Sequence, residues 1–187
     1  DLGRTEGRMP AEERIPNERL VANQRLMFYL KEIREGAYGK EIILSRSDDA
    51  LVKKLFGREV PEVASGSVEV RAIARRPGER TKLAVSSNQS GIDPVGSCVG
   101  QKGIRVQTVT TELGGERVDV IPWSDDIKEF IKGVLAPVEV IRLELNKEKK
   151  MEKVVVPEEK LSLAIGKDGQ NVKLAGQLVG WRIEIEG

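Results

Sequence analysis

The chain has 187 residues, of which 39% are hydrophobic and 33% charged, with 31 Lys+Arg against 30 Asp+Glu. That is enough apolar sequence for folded cores but too much charge for one large one, so two or three small domains are expected. Histidine is absent and Cys98 is the single cysteine, which removes the usual general base, the commonest metal ligand and any internal disulfide, and suits a reducing cytoplasm.

The chain opens on Asp1 rather than Met and shows no secretory leader, so it reads as a piece of a longer protein. No stretch approaches the roughly 18 apolar residues needed to cross a bilayer. Residues 1–47 hold 9 basic and 8 acidic side chains, 48–123 hold 11 and 10, and 124–187 hold 11 and 12. No part is basic as a whole. A site for a polyanion therefore has to be a local patch, found by motif.

From Asp48 the elements come in a definite order. "DDALVKKLF" is a capped amphipathic helix, and "SVEVRAIAR" with "RTKLAVSS" forms a hairpin around "RPGE". Asp93 and Pro94 are an N-cap and first-turn pair for the helix "PVGSCV". Gly100 and Gly103 interrupt it. "IRVQTVTTEL" is rich in β-branched residues, yet Val106, Val109 and Leu113 stand at helical spacing and predict a second helix. The strand "RVDVI" closes this unit, and only Pro122 and Trp123 separate it from Ser124, where the next helix begins.

The next unit repeats that order. Ser124 and Asp125 are expected to cap "DIKEFIKGVL", whose Ile127, Phe130, Ile131 and Val134 form one apolar face. Pro137 ends that helix. "VEVIRLEL" (138–145) alternates as a strand, the charged tip "NKEKK" turns the chain, and "MEKVVV" (151–156) is its hairpin partner. Pro157, Glu158 and Glu159 open a helix that runs to Ile165. It stops at Gly166 and Gly169, then resumes with Val172, Ala175 and Val179 on one face, before the strand "GWRIEIEG".

Setting Gly100 on Gly166 superimposes the two units. A glycine corner between two helices leaves the second helix's first N–H groups free at the surface, with the positive end of its dipole. Without Cβ atoms a phosphate backbone comes close. Gln101 and Lys102 lie within the first loop, Lys167 and Asp168 within the second, and Arg105, Asn171 and Lys173 stand on the succeeding helices. The arrangement suits a clamp for a single-stranded nucleic-acid backbone.

"GQKG" and "GKDG", each between two helices of a three-stranded α/β unit, resemble the GXXG loops of KH domains, in the type II (prokaryotic) order with the hairpin before the loop. The tandem, residues 48–122 and 123–187, resembles the paired KH domains of the NusA family of bacterial transcription elongation factors. In residues 1–47, "DLGRTEGRMPAEERIPNE", "QRLMFYLKEIRE" and "KEIILSRS" resemble the later strands of an OB-fold RNA-binding module of the ribosomal S-one type, which precedes the KH pair in that family. The expected fold class is thus α/β: two tandem type II KH domains behind a partial all-β OB segment.

The resemblance implies a cytoplasmic, monomeric, non-enzymatic RNA-binding fragment without metal or cofactor. Its parent acts with RNA polymerase and other transcription factors on pausing, termination and antitermination. The loops Gly100–Gly103 and Gly166–Gly169 would hold nascent single-stranded RNA, with bases in apolar grooves at Val99 and Ile104 and at Ile165 and Val172. Alternatives are an accessory module of a ribonuclease or a ribosome-associated scaffold. No G-x-G-x-x-G or G-x-x-x-x-G-K-[ST] pattern supports nucleotide binding. Cys98, Trp123 and Trp181 are expected as packing residues, and "NKEKKMEK" as a solvated tip.

Overall fold

A computed structural model describes residues 1–187. The first unit begins at α1 (Asp49–Glu59), whose cap Asp48 accepts a hydrogen bond from Ala50 N–H. Leu51, Val52, Leu55 and Phe56 line its buried face. Val60 stops it, and Pro61 opens the short α2 (Pro61–Ala64). Strands β3 (Val68–Arg76) and β4 (Arg80–Ser87) pair antiparallel, and β5 (Arg117–Pro122) joins β4 in parallel. A parallel neighbour needs a crossover. Here that crossover is α3 (Pro94–Val99), the glycine corner and α4 (Ile104–Glu112). Val109 and Leu113 are buried beneath it, so helical spacing prevails over the β-branched composition.

The second unit has the same topology. It comprises α5 (Ile127–Leu135), β6 (Arg142–Asn146), β7 (Met151–Val155), α6 (Leu161–Ile165), α7 (Gln170–Val179) and β8 (Arg182–Glu186), with sheet order β6-β7-β8. Two expectations need correction here. The cap of α5 is Asp126, which accepts from Lys128 N–H, and Ser124 instead accepts from Asp126 N–H. Residues 138–141 are not strand, because the ladder starts only where Ile141 N–H meets Val155 O. Val138 and Val140 alternate because they feed the core, not because a partner strand is present. On α7 Val172, Ala175 and Val179 all pack against the core as expected, with Asn171, Leu174 and Leu178 buried beside them. That helix packs on the first unit's β3 and β4 as well as on β8, which widens its covered face.

The two units share one core. A cluster of 15 buried residues takes Ala74, Ala84 and Ile121 from the first unit and Phe130, Val134, Leu174 and Ala175 from the second. Lys82 lies almost fully buried in this joint, donating to Val134 O at 3.0 Å and pairing with Asp119 Oδ2 at 3.2 Å. Burial lowers its pKa, and Asp119 opposes the shift. Trp123 packs 6.4 Å from the Phe130 ring, and the Arg71 guanidinium sits 4.1 Å from its ring centroid. The Pro122–Trp123 link is a packed joint.

Ahead of both units, β1 (Tyr29–Gly36) and β2 (Gly39–Ser45) form an antiparallel hairpin, and Arg8 pairs with β2 at Ile43. Buried charges bolt this segment to the first unit. Arg46, with no exposed surface, reaches Glu18 at 2.6 Å and donates to Met27 O and Glu112 O, both at 2.7 Å. Arg75 pairs with Glu116 at 2.8 Å, both side chains fully buried, and donates to Asp48 O and Arg46 O. Glu116 also accepts from Thr81 Oγ1 and Gly78 N–H. No helix is long and apolar enough to cross a membrane.

Candidate nucleic-acid interface

Both glycine corners adopt one backbone conformation. Gly100 has φ 74°, ψ 172° and Gly166 has 77°, 169°; Lys102 has 52°, 24° and Asp168 has 54°, 25°; Gly103 has 75°, 15° and Gly169 has 71°, 16°. The same hydrogen bonds close them, from Gly100 N–H to Gly96 O and from Gly166 N–H to Ser162 O, each 2.9 Å. The positive φ angles at these positions turn the chain so that helix resumes at once. No side chain caps α4 or α7, so their N-terminal dipole ends face outward beside the loops.

Gln101, Lys102, Lys167 and Asp168 are exposed, as a clamp requires. Lys102 and Asp168 hold a left-handed conformation that costs a non-glycine residue about 1–2 kcal/mol. Lys173 is exposed too and reaches back to Asp168 O at 3.1 Å. Val99, Ile165 and Val172 are half-buried, and Ile104 is 65% exposed.

Two expected contact residues also hold the corners together. Arg105 donates to Ser97 O at 2.7 Å and to Glu62 at 3.1 Å. Asn171, only 5% exposed, donates from Nδ2 to Ala164 O at 2.8 Å. They occupy equivalent positions, five residues after the first glycine, and each ties the second helix to a carbonyl of the first. These side chains brace the corners, Asn171 from beneath and Arg105 from the edge of the cleft beside the first loop, where it stays 31% exposed. The counterpart of Lys173 in the first unit is Gln107.

The grooves also differ. The counterpart of Ile104 is Gln170, whose amide bonds Glu79 in the first unit's hairpin. A cleft of about 750 Å³ lies beside the first corner, between Glu62, Asp93, Ser97 and Arg105. Beside the second helix pair is a hollow of about 410 Å³ edged by Val172, Lys173, Trp181 and Arg182. Cys98 is fully buried and its thiol is pushed up to about 11 by that burial, so it is inert packing. Composition and spacing gave no sign of the Arg46, Arg75 and Lys82 anchors, since each meets partners far away in sequence.

Two units of one βααβ-type topology, each bearing a GXXG corner over an uncapped helix, define a tandem type II KH protein. A model of the NusA-like first KH domain matches residues 46–123, and one of the NusA-like second KH domain matches 127–187. The chain belongs to the NusA family. It is 44% identical over 186 residues to the transcription termination/antitermination protein NusA of Halalkalibacterium halodurans, covering 100% of this chain and 49% of that protein. For the Thermus thermophilus protein of that name the identity is 47%, over 100% of this chain and 48% of the relative. For that of Bacillus subtilis it is 43%, over 99% and 50%. The chain thus spans about half the length of these relatives. The crystal structure of APE1850 shares the fold, with a TM-score of 0.52 at 22% identity over 72% of this chain and 95% of that one.

Proposed function

We propose that this chain is the RNA-holding part of a transcription termination and antitermination factor, binding single-stranded RNA through both glycine corners without catalysing a reaction. The observation that carries this is the pair of loops whose backbone angles agree within a few degrees, exposed at matched positions of a rigid frame. In this reading residues 1–47 end an OB module, and 48–122 and 123–187 are the two clamps. The longer protein would act as a monomer in the cytoplasm, meeting RNA polymerase and other transcription factors while this part holds nascent transcript. An accessory role in a ribonuclease has less support, since the relatives carry the name of a transcription factor.

Charge reversal within the loops tests the proposal. Gln101→Asp with Lys102→Asp, or Lys167→Asp, places carboxylates where phosphate would lie. Because these positions are exposed, stability should move by less than about 0.5 kcal/mol. Affinity for single-stranded RNA should fall, and more steeply than for an unstructured polyanion. Unchanged RNA affinity at unchanged melting temperature would remove the loops from the site. The wild-type salt dependence should be shallow, at about −0.7 per neutralised phosphate on a single strand, because each loop offers few cations.

A further inference from the structure

A further cleft lies beside α4. About 960 Å³ in volume, it runs between α1, the outer face of α4 and residues 25–27 of the leading segment. Small-ligand sites span about 300–1,000 Å³. Arg25, Arg58 and Lys102 stand around it. None of the three has a carboxylate within ion-pair distance; Arg58 meets only Met27 Sδ at 3.0 Å. Of the two acids on the rim, Glu112 is already held by Arg46 and by Met27 N–H. Glu59 alone opposes the three cations.

The floor is apolar, with Leu55 buried and Met27 and Ile104 exposed by 38% and 65%. Unpaired cations around an exposed apolar floor match a ligand that joins negative charge to flat apolar faces, which is the chemistry of a nucleotide. Ile104 and Gln101 line this cleft and also the cleft beneath Arg105. A strand lying on the Gly100–Gly103 loop therefore reaches both without a break. The second unit has nothing equivalent, because residues 25–27 close the cleft and they dock only on the first unit.

We infer that this cleft binds one nucleotide of the same single-stranded RNA, next to the first glycine loop, with its base against Met27 and Ile104 and its phosphates near Arg25 and Arg58. The inference rests on the RNA-binding reading of the loops. It makes the leading segment part of the binding surface, and it makes the first clamp's footprint longer than the second's.

The test is an affinity series on the whole chain with single-stranded RNAs of increasing length. Arg25→Gln with Arg58→Gln removes the cations, and Thr108→Trp, on the exposed face of α4, fills the space. Either change should cost about tenfold on RNAs long enough to leave the loop, the equivalent of about 1.4 kcal/mol. RNAs that only fill the loop should be unaffected. The double glutamine variant should also lower the salt slope by about 1.4, and the tryptophan variant should leave it alone. Full-length affinity retained by both variants, with loop-reversal variants still losing binding, would overturn the cleft and leave the RNA reading standing. Absence of any single-stranded RNA binding by the wild-type chain would overturn both.

Discussion

Gly100 and Gly166 share a backbone conformation but not a neighbourhood. A Cβ at Gly100 would meet the flexible Arg105 side chain, with Cγ at 2.7 Å; at Gly166 it would meet Asn171 Cβ at 2.8 Å and backbone N at 2.9 Å. Arg105 can swing aside, whereas the Asn171 backbone cannot without moving α7. Both alanine variants should lose about 1–3 kcal/mol, because φ near +75° with ψ near 170° is a backbone region essentially reserved for glycine. Gly166→Ala should lose clearly more, and urea unfolding of the pair would show the order.

Glu152 is a second residue-scale case. Its side chain is fully buried on β7 with both carboxylate oxygens unpartnered, flanked in the ladder by Leu145 and Ile183. Burial pushes its pKa from 4.5 to about 7, opposed by Lys128. The folded chain holds a proton that the unfolded chain has released, so stability should fall as pH rises from about 5 to about 7 and stay low above that. Glu152→Gln is neutral throughout. It should flatten that slope and stabilise the protein at pH 8, by on the order of 2 kcal/mol. Parallel pH profiles of wild type and variant that coincide would show that the carboxyl is solvated.

At the scale of elements, the glycine corner is a helix–turn–helix held by side chain to carbonyl braces, Arg105 to Ser97 and Asn171 to Ala164. The hairpin β3–β4 is held to the residue that leads into β5 by a different device. Glu116 receives Arg75, Thr81 and Gly78 N–H in a site closed to water. Removing one partner of a buried pair strands the other, at a cost of about 3–5 kcal/mol. Glu116→Ala should therefore unfold at much lower urea than wild type, and Arg75→Met with Glu116→Leu should recover much of the loss. Equal stability of the single and double variants would show that the charges are not truly desolvated.

Across the whole molecule, the shared core and the buried Lys82 fix the distance between the two clamps. A KH loop holds about four nucleotides, so two clamps and the fixed gap call for on the order of ten. Affinity should rise steeply once RNA reaches that length, because the second contact becomes intramolecular. A flexible Gly-Ser stretch inserted after Pro122 should lower long-RNA affinity while short-RNA affinity stays the same. A smooth rise with length, indifferent to the insertion, would show two independent sites.

Much of this architecture was legible in residue order alone. Asp48, Asp93 and the proline positions mark helix starts by local hydrogen bonding and fixed φ. Glycine pairs mark corners because no other residue adopts those angles so cheaply, and a repeated spacing is visible without coordinates. Val138–Val140 misled as a strand, since alternation reports which side is buried and is silent on whether a partner lies alongside. The braces made by Arg105 and Asn171 were hidden for a related reason: a polar side chain near a loop has the same letter whether it points at solvent or at a carbonyl beneath. Arg46 with Glu18, Arg75 with Glu116, and Lys82 with Val134 pair across 28, 41 and 52 positions. Such contacts exist only after burial has removed water and left each charge one partner to find, so the rigidity of the frame belongs to the tertiary structure.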